Sequence, residues 1–218
     1  MKNFLLITIL FLFSFNTYSQ IKTKGRLKVN VKKEAKALER DGWESTSTYP
    51  LEGQYQRVID AEQEVNEDGD LVNIVGLGEF ASNSKSIAMQ TSATLAKADI
   101  GGQIESSIKS VTKIDQVNDI IAQSLEDALV VTTQLVSQKI TSRPILQICK
   151  AERKGGKTVY SCRSQYKMNF DAASRMHVQL MRDELNRKKA EDARKEYESF
   201  FKEGLYEKVR DDIGDSKE

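Results

Sequence analysis

LVNIVGLGEFASNSKSIAMQTSATLAKADIGGQIESSIKSV, residues Leu71 to Val111, decides the fold. Leu71-Val72-Asn73-Ile74-Val75 is apolar at four of five positions and bounded by turn residues. Such a run suits a short strand covered on both faces. Gly76-Leu77-Gly78 reads as the turn that ends it, and Ser82-Asn83-Ser84 offers N-caps for a helix. Beyond them Met89, Ala93, Ala96, Ile100, Ile104, Ile108 and Val111 recur in steps of three and four, which places them on one helical face. Small residues in the first half of that face let the helix lie close to a sheet. Gly101-Gly102 interrupts it, at a cost of roughly 1 kcal/mol per glycine relative to Ala. The pair predicts a bend or a close approach by another backbone.

Gly76-x-Gly78-x-x-Ala81, with Asp99 some twenty residues on, also fits the loose dinucleotide-binding fingerprint. That fingerprint requires a parallel strand after the helix. Here a second helical pattern follows, with Asp115 as cap and Val117, Ile121, Leu125, Ala128, Thr132 and Leu135 on one face to about Lys139. The glycines therefore read as structural.

Working outward, the chain opens with Met1-Lys2-Asn3 and an apolar run from Phe4 to Phe15, then Asn16-Thr17-Tyr18-Ser19. This is the pattern of a cleavable signal peptide with cleavage after Ser19. No Cys follows to carry a lipid. Loss of residues 1–19 removes Lys2 and no acid, so 32 basic face 32 acidic residues. A balanced charge gives no argument for nucleic acid. Gln20 to Trp43 is nonetheless basic and Glu52 to Val72 acidic.

Leu27-Lys28-Val29 suits a short strand. Val31 to Asp41 reads as a helix with Ala35 and Leu38 on one side, Gly42 as its stop and Trp43 packing back. Glu44 to Tyr49 reads as a loop. A second helix starts at Pro50 with Leu51, Tyr55, Val58, Ile59 and Val65 as its stripe. Asn66 to Asp70 is acidic but lacks the length of a calcium loop, and reads as an Asp/Gly turn.

Gly155-Gly156 is a two-residue hairpin signal. A hairpin centred there pairs Lys154 with Lys157, Ala151 with Tyr160 and Cys149 with Cys162. The cysteines then meet at a non-hydrogen-bonded position, where side chains come closest. A cross-strand disulfide is expected in an oxidising compartment; the alternative is two buried free thiols that never oxidise. Ile145, Cys149 and Ala151 share a core face with Thr158, Tyr160, Cys162, Tyr166 and Met168, while Lys150, Glu152, Arg163 and Lys167 point to water.

Asp171 is the expected cap of a last, long helix. Its charged middle, Arg182 to Glu196, gives way to the apolar stripe Tyr197, Phe200, Phe201, Leu205 and Val209. That stripe is either a partner-binding surface or a face that folds back on the domain.

His177 is the only histidine, and no nucleophile elbow, phosphate loop or zinc spacing occurs. These patterns predict a protein without catalysis, cofactor or metal. A small-ligand protein or hydrolase with a cleft beside the Gly76-Gly78 turn is the alternative.

Val75-Gly76-Leu77-Gly78, then Ala88, Ala93, Ala96-Lys97-Ala98-Asp99-Ile100, Ile104, Ile108 and Val111, with Gly156-Lys157-Thr158-Val159-Tyr160, resemble the Lpp-twenty lipoprotein-like envelope family over about half of the chain. Lys32 to Tyr55 is similar to extensions on such proteins from Bacteroidetes-type bacteria. The resemblance implies an α+β module of the bacterial envelope with no catalytic residues to carry over. This chain departs from the family in lacking the lipidated Cys.

The expectation is an α+β fold in four parts: a signal peptide at 1–19, an N-terminal helical extension at 20–70, an envelope domain at 71–170 and a charged C-terminal helix at 171–218. A small three-stranded antiparallel sheet would pack against long helices. The protein would be exported to the periplasm or outer envelope. Its partners would be other envelope proteins, with peripheral membrane contact and homo-oligomerisation through a helix as further options.

Overall fold

A computed structural model describes residues 30–112, 114 and 118–202, with residues 110–112 and 200–202 traced by backbone alone. Residues 1–19, the Leu27–Val29 segment, Asp115, Val117, Leu205 and Val209 lie outside the described residues.

The elements run α1 (Val31–Arg40), β1 (Glu44–Ser45), α2 (Leu51–Gln63), β2 (Asn73–Ser82), α3 (Lys85–Thr112), α4 (Asp119–Lys139), β3 (Leu146–Lys154), β4 (Lys157–Asn169), α5 (Phe170–Arg187) and α6 (Glu191–Lys202). The fold is α+β, as expected, but the antiparallel sheet has four strands in the order β1-β3-β4-β2. The fourth is β1, within the segment read as a loop. It pairs Glu44 with Cys149 and Ser45 with Ile148. A two-residue strand is too short to show alternation, so nothing in its sequence marked it.

Helix α1 ends as its sequence dictates. Gly42 takes φ +84°, its N–H donates to the Glu39 carbonyl, and the Trp43 N–H donates to the Leu38 carbonyl. These are the two bonds of a Schellman ending, and they turn Trp43 back into the core. Its ring lies near Lys150 and Arg163.

The β3–β4 hairpin has the expected register, Lys154 opposite Lys157 and Cys149 opposite Cys162. Both turn glycines have positive φ, +59° and +78°, a pairing that fits tight hairpins and that L side chains resist.

Both faces of the sheet are covered, a correction to the single core face predicted. On one face lies α3, with Ile74, Ala96, Ile100, Ile104, Tyr166 and Phe170 in a core that continues into α4, α5 and α6. On the other, α1, α2 and Trp43 bury Val75, Leu146 and Ile148. Ile145 belongs to this second cluster, not with Cys149. The outer face is wet only beyond α1 and α2, where Lys150, Glu152 and Lys154 form an ion-pair cluster.

The C-terminal helix is two helices. Lys189 adopts φ 55°, and the chain reverses between Arg187 and Glu191. Asn169, not Asp171, caps α5, accepting from the Ala172 N–H at 3.0 Å. Helix α6 then folds back so that Ala193 and Tyr197 join the main core.

Candidate functional site

The glycines of the opening stretch do not form a turn. Gly76 and Gly78 lie inside β2, opposite Tyr166 and Ser164 of β4. Their missing side chains are what lets α3 approach. A Cβ at Gly76 would enter the Ala96 carbonyl and stand 2.6 Å from Ile100 Cγ1. At Gly78 it would enter the Ser92 carbonyl and the Ala96 amide. A real Cβ does not come so near another backbone, so only glycine permits this packing. The helix fills the space directly above both glycines. The second glycine pair behaves differently. Helix α3 continues through Gly101-Gly102, and Gly101 lies against the Thr133 carbonyl of α4. Of the two outcomes expected there, the close approach holds.

Close seating also brings one flank of α3 alongside the free edge of β2. Hydrogen bonding to β4 uses the even residues of β2, so the main-chain groups of Val75, Leu77, Glu79 and Ala81 point away from the sheet. Two of these positions are plugged. Asp99 Oδ2 accepts the Leu77 N–H at 2.9 Å, and Gln103 Nε2 donates to the Val75 carbonyl at 3.0 Å and to Asp99 Oδ2 at 3.1 Å. Asp99, the acid that completed the nucleotide fingerprint in sequence, is thus a cap on a sheet edge. Among the described residues, no hydrogen bond reaches the outward groups of Glu79 and Ala81.

The flank that carries Asp99 and Gln103 continues toward the helix start in steps of four: Leu95, Thr91, Ile87. Leu95 and Ile87 are exposed at 42% and 52%. On the strand, Leu77 and Phe80 are exposed at 45% and 38%. Four large apolar side chains therefore flank two strand residues whose outward main-chain groups are unused among the described residues. Exposed apolar groups scattered singly need no explanation, but a cluster around an open edge marks an interaction surface. In sequence the buried Ala/Ile face dominates the periodicity of α3 and hides this flank. Ile87 and Leu95, apolar and off that face, were the available signal.

The cysteines lie nearby on the α3 face. Their sulfurs are 2.01 Å apart, at bonding distance, and Cys149, Cys162 and Ala88 form a small buried cluster with Met89 and Tyr160 around it. Phe80 stands opposite Cys162 in register. The bond closes a loop of 13 residues' separation, for which chain entropy gives about 3 kcal/mol. Replacing both cysteines by Ala is expected to lower the unfolding free energy by about that amount in urea titration. The oxidised parent, denatured without reductant, should show no titratable thiol.

The remaining sequence candidates fall elsewhere. Tyr197, put forward for partner binding, is 1% exposed and belongs to the core. Side chains of Phe200 and Phe201, and all of Leu205, lie outside the described residues. His177 is fully buried on α5, with Nδ1 3.5 Å from the Tyr197 hydroxyl of α6, and burial pushes its pKa down to about 3. The acidic stretch 66–70 is a self-closed turn, with Asn66 Oδ1 accepting from the Asp68 and Asp70 amides and Gly69 at φ +92°. Among the described residues no three His, Cys, Asp or Glu side chains are grouped to hold a metal ion, and no helix is long and apolar enough to cross a membrane.

Comparison with protein-family models, with characterised proteins and with solved structures found no match to this chain.

Proposed function

We propose that this chain is an exported envelope protein, akin to the Lpp-twenty lipoprotein-like family, that works by binding and has no catalysis of its own. The half-plugged edge of β2 among exposed apolar side chains carries the reading. An edge closed at Val75 and Leu77 but open at Glu79 and Ala81 leaves main-chain donors and acceptors facing solvent beside apolar side chains. That is the combination that main-chain pairing with another chain requires. The leader-like residues 1–19 and the cross-strand cysteine pair support an oxidising compartment outside the cytoplasm.

Expression of the full chain in a bacterium with two membranes, followed by fractionation and N-terminal sequencing, tests compartment and processing together. The expected product begins at Gln20, is recovered from the periplasm or outer envelope, and carries no free thiol. Recovery of an uncleaved, reduced chain from the cytoplasm would overturn the reading. Cross-linking in the intact envelope then identifies what is bound.

A further inference from the structure

We infer that the open part of the β2 edge is occupied by a second copy of this chain, the two β2 strands pairing antiparallel about a two-fold axis at Phe80. The inference deepens the binding reading above by naming the partner. It rests on three features of the edge that match themselves when reversed.

The first is the number of free main-chain groups. With Phe80 opposite its own copy, Glu79 of each chain faces Ala81 of the other. Among the described residues these are two whose outward N–H and C=O are unused, and together they form four hydrogen bonds. The next pair would bring in Leu77, whose N–H already belongs to Asp99. The plug therefore ends the ladder where the symmetry needs it to end.

The second is the helix flank. Gly78 lies beneath Ser92 and Ala96, and Gly76 beneath Ala96 and Ile100. Four helix residues thus pass for every two strand residues, which puts Phe80 beside the turn from Ala88 to Ser92. A two-fold axis at Phe80 is then also centred near Gln90 and Thr91 on α3. The two helices run antiparallel, and Ile87 of one meets Leu95 of the other. With strands about 4.8 Å apart, helices seated over β2 and β4 approach to about 10 Å, the ordinary spacing of packed helices. Both exposed leucine and isoleucine side chains of the flank become covered, and Phe80 meets Phe80 at a non-hydrogen-bonded position.

The third is polar. The same operation carries Asp99 of one helix to Asn83, just ahead of the other. Asp99 has a second carboxylate oxygen beyond the one that plugs the strand, and the Asn83 side-chain amide is exposed and can donate to it. The pair forms twice, once at each end of the interface, as an isologous contact demands.

Sedimentation of the purified protein across a micromolar concentration series tests this. The expected result is a reversible dimer. Ala81→Pro removes an outward N–H without touching the bonds to β4, and should leave a monomer. Leu95→Glu, on the exposed flank, should raise the dissociation constant by about tenfold or more. If Ala81→Pro fails to fold, as judged by circular dichroism, Leu95→Glu decides the matter. Phe80→Cys should yield a covalent dimer on mild oxidation, and Glu79→Cys, whose two copies lie on a diagonal, should not. A parent that stays monomeric throughout, a dimer untouched by Leu95→Glu, or equal cross-linking at positions 79 and 80 would each overturn the inference. Fractionation tests export and sedimentation tests pairing, so the two readings fail separately.

Discussion

Gly76→Ala and Gly78→Ala should each cost about 3 kcal/mol or more of unfolding free energy, the upper range of overpacked cores. The reason is the nature of the obstacle. At both positions the added methyl runs into the backbone of α3, which cannot swing aside as the end of a side chain can. Helix α3 must lift from the sheet, and Ile100, Ile104 and Ile108 are carried with it out of the main core. For a domain stable by roughly 5–15 kcal/mol in total, a Val at either site is expected to prevent folding. The control lies on helix α3 itself. An added Cβ at Gly102 meets nothing within 4 Å, so Gly102→Ala should stabilise the protein by about 1 kcal/mol. Gly101→Ala falls between, with the Thr133 carbonyl at 3.0 Å from the new atom. Urea midpoints for the four variants give the order directly. A Gly76→Ala midpoint equal to that of the parent would show that the helix is loosely seated.

Acid should destabilise this protein chiefly through one buried imidazole. The folded state holds His177 neutral, with its pKa pushed down to about 3 by burial, whereas the unfolded chain titrates it at 6.5. Between those values the unfolded state binds the proton and the folded state does not. The contribution of His177 is therefore full above pH 6.5, declines as pH falls and is gone near pH 3. At roughly 1.4 kcal/mol per pH unit the loss amounts to about 5 kcal/mol. His177 Nε2 has no hydrogen-bond partner among the described residues, so little offsets the desolvation of a charged ring. His177→Phe should flatten the acid branch of the stability curve measured by urea unfolding from pH 7 to pH 4. Glu152, held at about 2 by Lys150 and Lys154, also disfavours acid but at a lower pH and equally in both proteins. The difference between the two curves thus belongs to His177. Parallel curves would mean that protons reach the ring in the native state.

Local rules made much of the fold legible. The hairpin register follows from two glycines and the count of residues between the cysteines, because a two-residue turn leaves no freedom in pairing. The ending of α1 at Gly42, the starts of α2 and α3, and the Ala/Ile face of α3 follow from caps and periodicity. The failures share a cause: each depends on a partner distant in sequence. Gly76 and Gly78 look like turn punctuation until α3 is laid across them. Strand β1 exists only because β3 offers an edge. The break at Lys188–Ala190 contains neither Gly nor Pro, and is imposed by the core that takes up Tyr197. The candidate site was hidden for the same reason. Ile87, Leu95 and Phe80 are unremarkable in sequence, and become a surface only when a helix flank and a strand edge lie side by side.

Strand order also sets when this protein can fold. Strand β1 pairs only with β3, and β2 only with β4. As the chain emerges from its N-terminus, neither early strand has a neighbour until the hairpin near residue 155 has appeared. Residues 73–82 wait unpaired while α3 and α4 are made, then zip against β4 across separations of 78 (Ser82 to Tyr160) to 96 residues (Asn73 to Asn169). Contacts of this kind close late and slowly. The sheet cannot close while only the first two-thirds of the molecule exists, and the last third acts as the trigger. A chain built in this order leaves its early strands without partners until the hairpin is made.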